Sequence, residues 1–481
     1  MTAEVVIGVL LAASGFGVLA PVMRDVTGAA RLWLAIPIGA AVYLQTSLLL
    51  IVLTGTLEPQ LALGITAVLG IAGLVAGGLR GDLDLRAIAW AGGAIGVAVV
   101  TVILARIWHL TRLTPDSIRY LLAATDLVRP NAVQEMHRAD LLVRQIGLPT
   151  LHALFETIDR RYVASIGPLF GVSGLGLFAW LTWRVTERMD IRKRKWLVVA
   201  AILFLGTSNR LVYDAFYINT HIQMAAFLLI AIAGSWLAVS KRWTGWAWPA
   251  GLALAATLLL RPEAPLVVAI VLVTIGASKA TWPVRLAMAL PAVFTMSLWY
   301  GIVLWQNAFD GDVISLTAPV FGSLVAVLGA ALVVIIGGLQ SAQQWIGYTD
   351  RVALAGLALL VVFYAIRTPD ILVTAVQATY QNLTYDGLWL LTWVGALGLL
   401  AVALIVQRIP DARLWTVPIV GFGLLFWLLP LLRGGAWRVG SGDSGNRILA
   451  HILAVVVAFL VLAAQDESTR SESGIEPASP G

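Results

Sequence analysis

Residues 32–54 read LWLAIPIGAAVYLQTSLLLIVLT, a run without one charged side chain. A helix needs roughly 20 mostly apolar residues to cross the hydrocarbon core of a bilayer, within a range of about 17 to 25, and this run meets that length. With charges, Pro and Gly as punctuation, the same ruler divides nearly the whole chain. On either side lie 5–23, 61–79 and 87–105. Beyond a long polar loop come 163–183, a segment from Trp196 that weakens after Gly206, and then 222–239, 245–260 and 264–277. The remainder are 286–305, 320–339, 352–366, 388–406, 414–432 and 448–464. The expected fold class is an all-α integral membrane protein of about 15 transmembrane helices. A polar tail, 465–481, is rich in Ser, Glu and Pro and reads as disordered.

Composition points the same way. Hydrophobic residues make up 59% of the chain and charged residues 12%, with a mean hydropathy of +0.89, beyond what a soluble domain carries. A net charge of +6 and a pI near 9.7 would suggest nucleic acid as the partner of a soluble protein. Here the basic residues gather at the ends of apolar runs, where they set topology, so no nucleic acid is implied. The lack of cysteine excludes disulfides, thiolate metal sites and cysteine nucleophiles. Met1-Thr2-Ala3-Glu4 offers no positive charge ahead of the first apolar run, which is expected to be retained rather than cleaved as a signal.

Orientation follows from the excess of Lys and Arg in cytoplasmic loops. The cluster Arg184, Arg188, Arg192, Lys193, Arg194 and Lys195 is assigned to the cytoplasm. Alternation from there sets Arg24, Arg31, Arg80, Arg86, Lys241, Arg242, Lys279, Arg285, Arg351, Arg408, Arg413 and Arg470 on the same side. The N-terminus is then outside and the C-terminus cytoplasmic. The weak step is 196–206, whose failure to cross would invert everything downstream.

The opposite face gathers a different kind of residue. The large loop, 106–162, holds Asp116, Asp126, Glu135, Asp140, Glu156 and Asp159 with His109, His137 and His152. Thr114-Pro115-Asp116-Ser117 is a helix start: Thr114 can cap, Pro115 suits the first helical position and Asp116 faces the positive end of the dipole. Amphipathic helices on the membrane surface are expected here, with Asp116 and Tyr120 on one face. The same side collects Asn209, Arg210, Tyr213, Asp214, Tyr217, Asn219 and His221, then Arg261-Pro262-Glu263 between two short apolar runs. It also collects 433–447, with Arg438, Asp443, Asn446 and Arg447 ahead of His451 in the last span, and Asp310, Asp312, Asp370, Tyr380, Tyr385 and Asp386. Ionisable groups near hydrocarbon are read as functional by default. Acids that could act as bases, and arginines that bind phosphate bidentately, converge on one side. A membrane-surface site for a lipid phosphate fits that distribution.

At these residues the chain resembles the GT-C superfamily of membrane glycosyltransferases, which use polyprenyl-phosphate sugars. The resemblance rests on Asp116 in an outer loop soon after a span, on the Arg261-Pro262-Glu263 turn, and on Gly442-Asp443-Ser444-Gly445-Asn446-Arg447 before the final span. It covers about 87–451 and implies a core at 87–464, preceded by a transmembrane extension at 1–86. The family opens with one span before its catalytic loop, whereas four precede it here. The implied reaction is inverting transfer from a polyprenyl-phosphate-linked donor to a glycan, lipid or protein acceptor of the cell envelope. It would take place at the outer face of the cytoplasmic membrane. Asp116 would be the base. Arg210, His221, Arg261, Glu263 and Arg447 would hold the donor phosphate, supported by Tyr120, Tyr213, Asp214, Asp443 and Asn446. A divalent cation, Mg or Mn, could bridge the phosphate to Asp116 or Glu263, although no spacing specifies a metal site.

Each of these residues also has a structural reading. Asp116 is a favoured first-turn acid, Arg261 and Glu263 can pair at a hairpin turn, and Arg447 can snorkel as an interface anchor. His221 and His451 suit interhelical hydrogen bonds. The 19 tryptophans suit an interfacial belt. Two other functions stay open: a secondary transporter, for which no internal repeat is found, and a noncatalytic envelope-assembly subunit that docks through its outer loop.

Overall fold

The structure is a computed structural model that describes residues 2–23, 28–81, 84–108, 111, 113–130, 145–157, 162–304, 314–339, 342–390, 392–407, 409–440 and 442–473. Arg24, His109, Glu135, His137, Asp140, Asp159, Asp310, Asp312 and Arg408 lie outside the described residues, as does the tail beyond Ser473.

Every regular element among the described residues is helical. In hydrocarbon, where no water can satisfy backbone N–H and C=O groups, a helix closes them within the segment. The first half runs α1 Thr2–Leu19, α2 Gly28–Thr54, α3 Pro59–Leu79, α4 Leu85–Ile107, α5 Pro115–Leu127, α6 Gly147–Ala153, α7 Ile166–Val185, α8 Ile191–Gly206, α9 Asn209–Phe216 and α10 His221–Ser240. The second half runs α11 Ala247–Leu258, α12 Ala264–Ala277, α13 Trp282–Thr295, α14 Ile314–Ile336, α15 Thr349–Arg367, α16 Pro369–Gln381, α17 Thr392–Val406, α18 Arg413–Arg433, α19 Ser444–Ile448 and α20 Ala450–Ser473.

Among the described residues nine helices are long and apolar enough to cross a membrane, or ten when α8 and α9, bent by 57° at their junction, count as one crossing. Shorter apolar helices cover further runs that the sequence ruler scored as spans: Ala3–Leu19, Ala264–Ala277, Val320–Ile336 and Thr392–Val406. Some boundaries move. The run expected from Leu388 begins at Thr392, because Leu388 and Leu390 adopt positive φ, at 66° and 47°, and break the helix. The stretch after Pro369, expected as loop, is helical, and α20 continues to Ser473 into the expected disordered tail. Propagation adds one hydrogen bond per residue once a helix is formed.

Buried α10 lies at the centre, with α7, α11 and α20 packed against it. The first four helices pack on one another, and α2 also lies against α7 and α11. Close crossing of α1 and α2 depends on glycine: a Cβ on Gly15 would strike the Ala35 carbonyl, and one on Gly39 the Leu11 carbonyl. Small residues allow this approach in membranes, where van der Waals packing drives helix association. Outer helices instead present apolar side chains, such as Val68, Ile71 and Val75 on α3 and Val352, Leu359 and Val362 on α15.

The bundle has two chemically distinct ends. At one, Arg184 pairs with Glu187 at 2.8 Å, Arg194 donates to the Trp183 carbonyl at 2.6 Å, and Ser240 donates to Asp411 at 2.9 Å. From there α8 and α9 carry the chain back to Tyr217 at the other end, where Thr114 meets it. The 196–206 segment thus belongs to a bent passage from one end to the other. At this second end α5 and α6 fold onto the bundle: Leu57 N–H donates to the Leu127 carbonyl at 2.9 Å and Gly147 N–H to the Leu259 carbonyl at 2.6 Å. Tyr43 Oη on α2 donates to the Thr150 carbonyl at 3.3 Å. α5 turns Tyr120, Ala124 and Leu127 inward and leaves Ile118 and Leu122 exposed.

Candidate functional site: an ionic cluster beside an apolar cavity

The cluster starts from a helix cap. Thr114 Oγ1 accepts from Ser117 N–H at 3.3 Å, and Ser117 Oγ accepts from Thr114 N–H at 3.2 Å. This reciprocal box fixes the start of α5 and holds Asp116 in its first turn. Two more bonds seat that turn on the α9–α10 connection. Ser117 Oγ donates to the Ile218 carbonyl at 3.2 Å, and Thr114 Oγ1 donates to the Tyr217 hydroxyl at 2.8 Å.

Arg447 reaches the same point from far along the chain. Asp443 caps α19 by accepting from Gly445 and Asn446 N–H at 2.7 and 3.2 Å. Asn446 accepts from the Trp389 indole and donates to the Gly387 carbonyl at 3.0 Å. With its loop pinned in this way, Arg447 Nε donates to the Asp443 carbonyl at 3.2 Å. Its Nη1 and Nη2 both donate to Asp116 Oδ2 at 3.1 Å, and Nη1 also donates to the Tyr217 hydroxyl at 3.1 Å. The Tyr217 proton is directed at Asp116 Oδ2, 3.5 Å away. Burial pushes the Tyr217 phenol above its ordinary pKa against the opposing pull of Thr114 and Arg447, so the hydroxyl keeps its proton.

Three buried polar units lie around this pair. Arg210 and Asp214, one turn apart on α9, are both fully buried and joined at 3.1 and 2.9 Å, with Asn219 adding a contact to the carboxylate at 3.5 Å. Their i,i+4 spacing puts them on one helix face. Tyr213 sets its ring 5.6 Å from that of Tyr217, tilted by 43°. In the α11–α12 turn, Arg261 Nε donates to Glu263 Oε1 at 2.9 Å, and Arg433 stands 3.9 Å from Glu263 Oε2. Burial would lift the Glu263 carboxyl, but Arg261 and Arg433 outweigh it and hold the pKa below the usual range. Burial opposes the charge on Arg261, yet Glu263 and the hydrogen-bonding Tyr120 hydroxyl hold its pKa up. In the third unit His221 Nδ1 and His451 Nε2 are 2.7 Å apart, with stacked rings.

All eleven residues singled out from the sequence therefore lie in or next to one cluster, with Asp443 and Asn446 shaping the loop that carries Arg447. Asp370, Tyr380, Tyr385 and Asp386 do not join it and are exposed. Three members were not assigned a site role from sequence. In sequence Tyr217 is one member of a polar patch, whereas in the fold its hydroxyl is the meeting point of Thr114, Asp116 and Arg447. Arg433 reads in sequence only as the boundary of a loop. Tyr300, buried near Glu263, sits in an apolar stretch with no local signal.

Against the cluster lies an apolar cavity of about 370 Å³, between α4, α7, α8, α9 and α10. The short α9 divides the two: Arg210 and Asp214 face the ions, while Leu211, Val212, Ala215 and Phe216 line the cavity. Among the described residues no three His, Asp or Glu side chains gather into a metal-holding group. Asp116 and Glu263 each pair with an arginine. Comparison of the chain with protein-family models, with curated proteins and with solved structures found no match in any of the three.

Proposed function

We propose that this chain is a GT-C-type membrane glycosyltransferase that takes sugar from a polyprenyl-phosphate-linked donor and passes it to an envelope glycan, lipid or protein. The observation that carries the reading is the pairing of the arginine cluster with an apolar cavity across a single short helix, α9. That pairing suits an amphiphile with an anionic head and a long hydrocarbon tail. Volumes of about 300–1,000 Å³ are usual for ligand pockets, and a cavity between spans is filled by prenyl units without desolvating any polar group.

In this reading the donor phosphate lies on Arg447 and Arg261, and the sugar faces Asp116. Asp116 takes the proton of the acceptor hydroxyl as the oxygen attacks the anomeric carbon; the bond to phosphate breaks and the lipid phosphate leaves with the electron pair. The arginines stabilise the charge that develops on it. His221, hydrogen-bonded to His451, lies behind the phosphate position. No step is assigned to a metal. The reading also sets this end of the bundle outside the cytoplasmic membrane, with the N-terminus outside and the tail inside.

The test is transfer of labelled sugar from a panel of polyprenyl-phosphate donors by protein purified into lipid, comparing wild type with Asp116→Asn. Transfer that disappears in the variant, with unchanged thermal stability, supports the reading. Absence of transfer by wild type across a broad panel sinks it and favours a transporter or an assembly subunit.

A further inference from the structure

The ion pair between Asp116 and Arg447 bears on how such a site would be loaded. Both terminal nitrogens of Arg447 converge on the single oxygen Oδ2, each at 3.1 Å. Guanidinium binds an oxyanion best through two parallel bonds to two oxygens, and here that arrangement is not used. The two partners also differ in access. The Asp116 side chain is 40% exposed and that of Arg447 10%, so a ligand arriving from outside meets the carboxylate before the cation.

We infer that Asp116 is an intramolecular stand-in for the phosphate of the substrate on Arg447, so that phosphate binding and release of the Asp116 carboxylate are one event. The inference rests on the lipid-phosphate reading above and adds an order to it. Arg447 cannot serve both anions through the same two N–H groups. A phosphate presenting two oxygens replaces the forked contact with a parallel pair, and the displaced carboxylate is then able to accept a proton. After displacement Asp116 remains held in the capped first turn of α5, beside the vacated guanidinium. Tyr217 completes the anion site. Its oxygen already accepts from Thr114 and Arg447, which leaves its own proton to point at whichever anion occupies Arg447. The base is thereby masked in the empty protein and exposed only when a donor is seated.

The experiment uses the full chain in lipid nanodiscs and a polyprenyl phosphate without sugar as probe. If the carboxylate competes with phosphate, Asp116→Asn binds the probe about tenfold tighter than wild type, since an internal competitor has been removed. Arg447→Gln loses binding, and Tyr217→Phe weakens it several-fold. Wild type also shows a shift of one carboxylate infrared band on adding the probe, missing in Asp116→Asn; this separates displacement from simple charge repulsion. Equal or weaker binding by folded Asp116→Asn, or no band shift in wild type, overturns the inference while leaving the lipid-phosphate reading intact. If no form binds the probe, that reading itself falls. Inorganic phosphate that competes only at far higher concentration supports a lipid source, and equal potency overturns it.

Discussion

Arg210 and Asp214 are fully buried and bonded through two nitrogens and two oxygens. A buried charge that loses its partner is uncompensated, at a cost of about 3–5 kcal/mol. Asp214→Ala and Arg210→Ala should each lower the thermal unfolding midpoint sharply in lipid, with the double variant less than additive. Additive losses would show that the two charges do not act as a pair. Glu263 gives a pH prediction. Its folded-state pKa is depressed from 4.5 because Arg261 and Arg433 outweigh burial. A depressed acid contributes stability that is present above the unfolded value and lost as pH falls through the folded one. Unfolding scans between pH 7 and pH 3 should therefore show an acid loss that Glu263→Gln flattens. At this scale the sequence is informative about residue types: Thr114-Pro115-Asp116 announces its own cap, whereas the pairing of Arg210 with Asp214 emerges only once α9 is seen as a helix. It was silent on Tyr300, whose hydroxyl lies in an apolar stretch and acquires meaning only through a turn distant in the chain.

Helices of this chain are stable as elements because the backbone has no other way to satisfy its hydrogen bonds in hydrocarbon; what varies is how they meet. Gly39 on α2 lets the backbone of α1 pass at Leu11. Gly39→Val should push the two helices apart and destabilise the protein by about 1–3 kcal/mol, while the same change at Gly64, which meets nothing within 4 Å, should have little effect in the same unfolding assay. The apolar runs announced most of these helices with boundaries good to a few residues. The miss at 388–390 has a local cause, the positive φ of Leu388 and Leu390. Hydropathy does not register backbone conformation, and leucine is an unusual residue for that region.

Across the whole molecule, the lipid-phosphate reading makes the cavity a tail site. Val212 forms part of its wall and is 42% exposed, so Val212→Trp adds bulk from the outer side. Binding of long-chain polyprenyl phosphates should fall about tenfold while short-chain analogues are retained; equal loss for both would place the tail elsewhere. Orientation is testable because the chain has no cysteine. A single cysteine at exposed Ile118 should react with a membrane-impermeant maleimide in intact cells, and one at Lys195 only after lysis. The reverse pattern would invert the proposed topology.

Apolar run length, charge and capping residues determined that this is a helical membrane protein with chemistry-bearing side chains concentrated between particular spans. Those signals report the solvent each segment faces and the bonds it makes with near neighbours, so they are local and readable. Partner choice is not local. Asp116 and Arg447 are 331 positions apart, and His221 and His451 are 230 apart. Such pairs form only once helices cross at specific angles and α5 is seated against the α9–α10 connection. Many sequences would carry the same polar residues on the same side without bringing two of them within 3 Å. The tertiary structure decided that Asp116 rests on Arg447 and that α9 separates ions from an apolar cavity, because helix packing alone sets which faces meet.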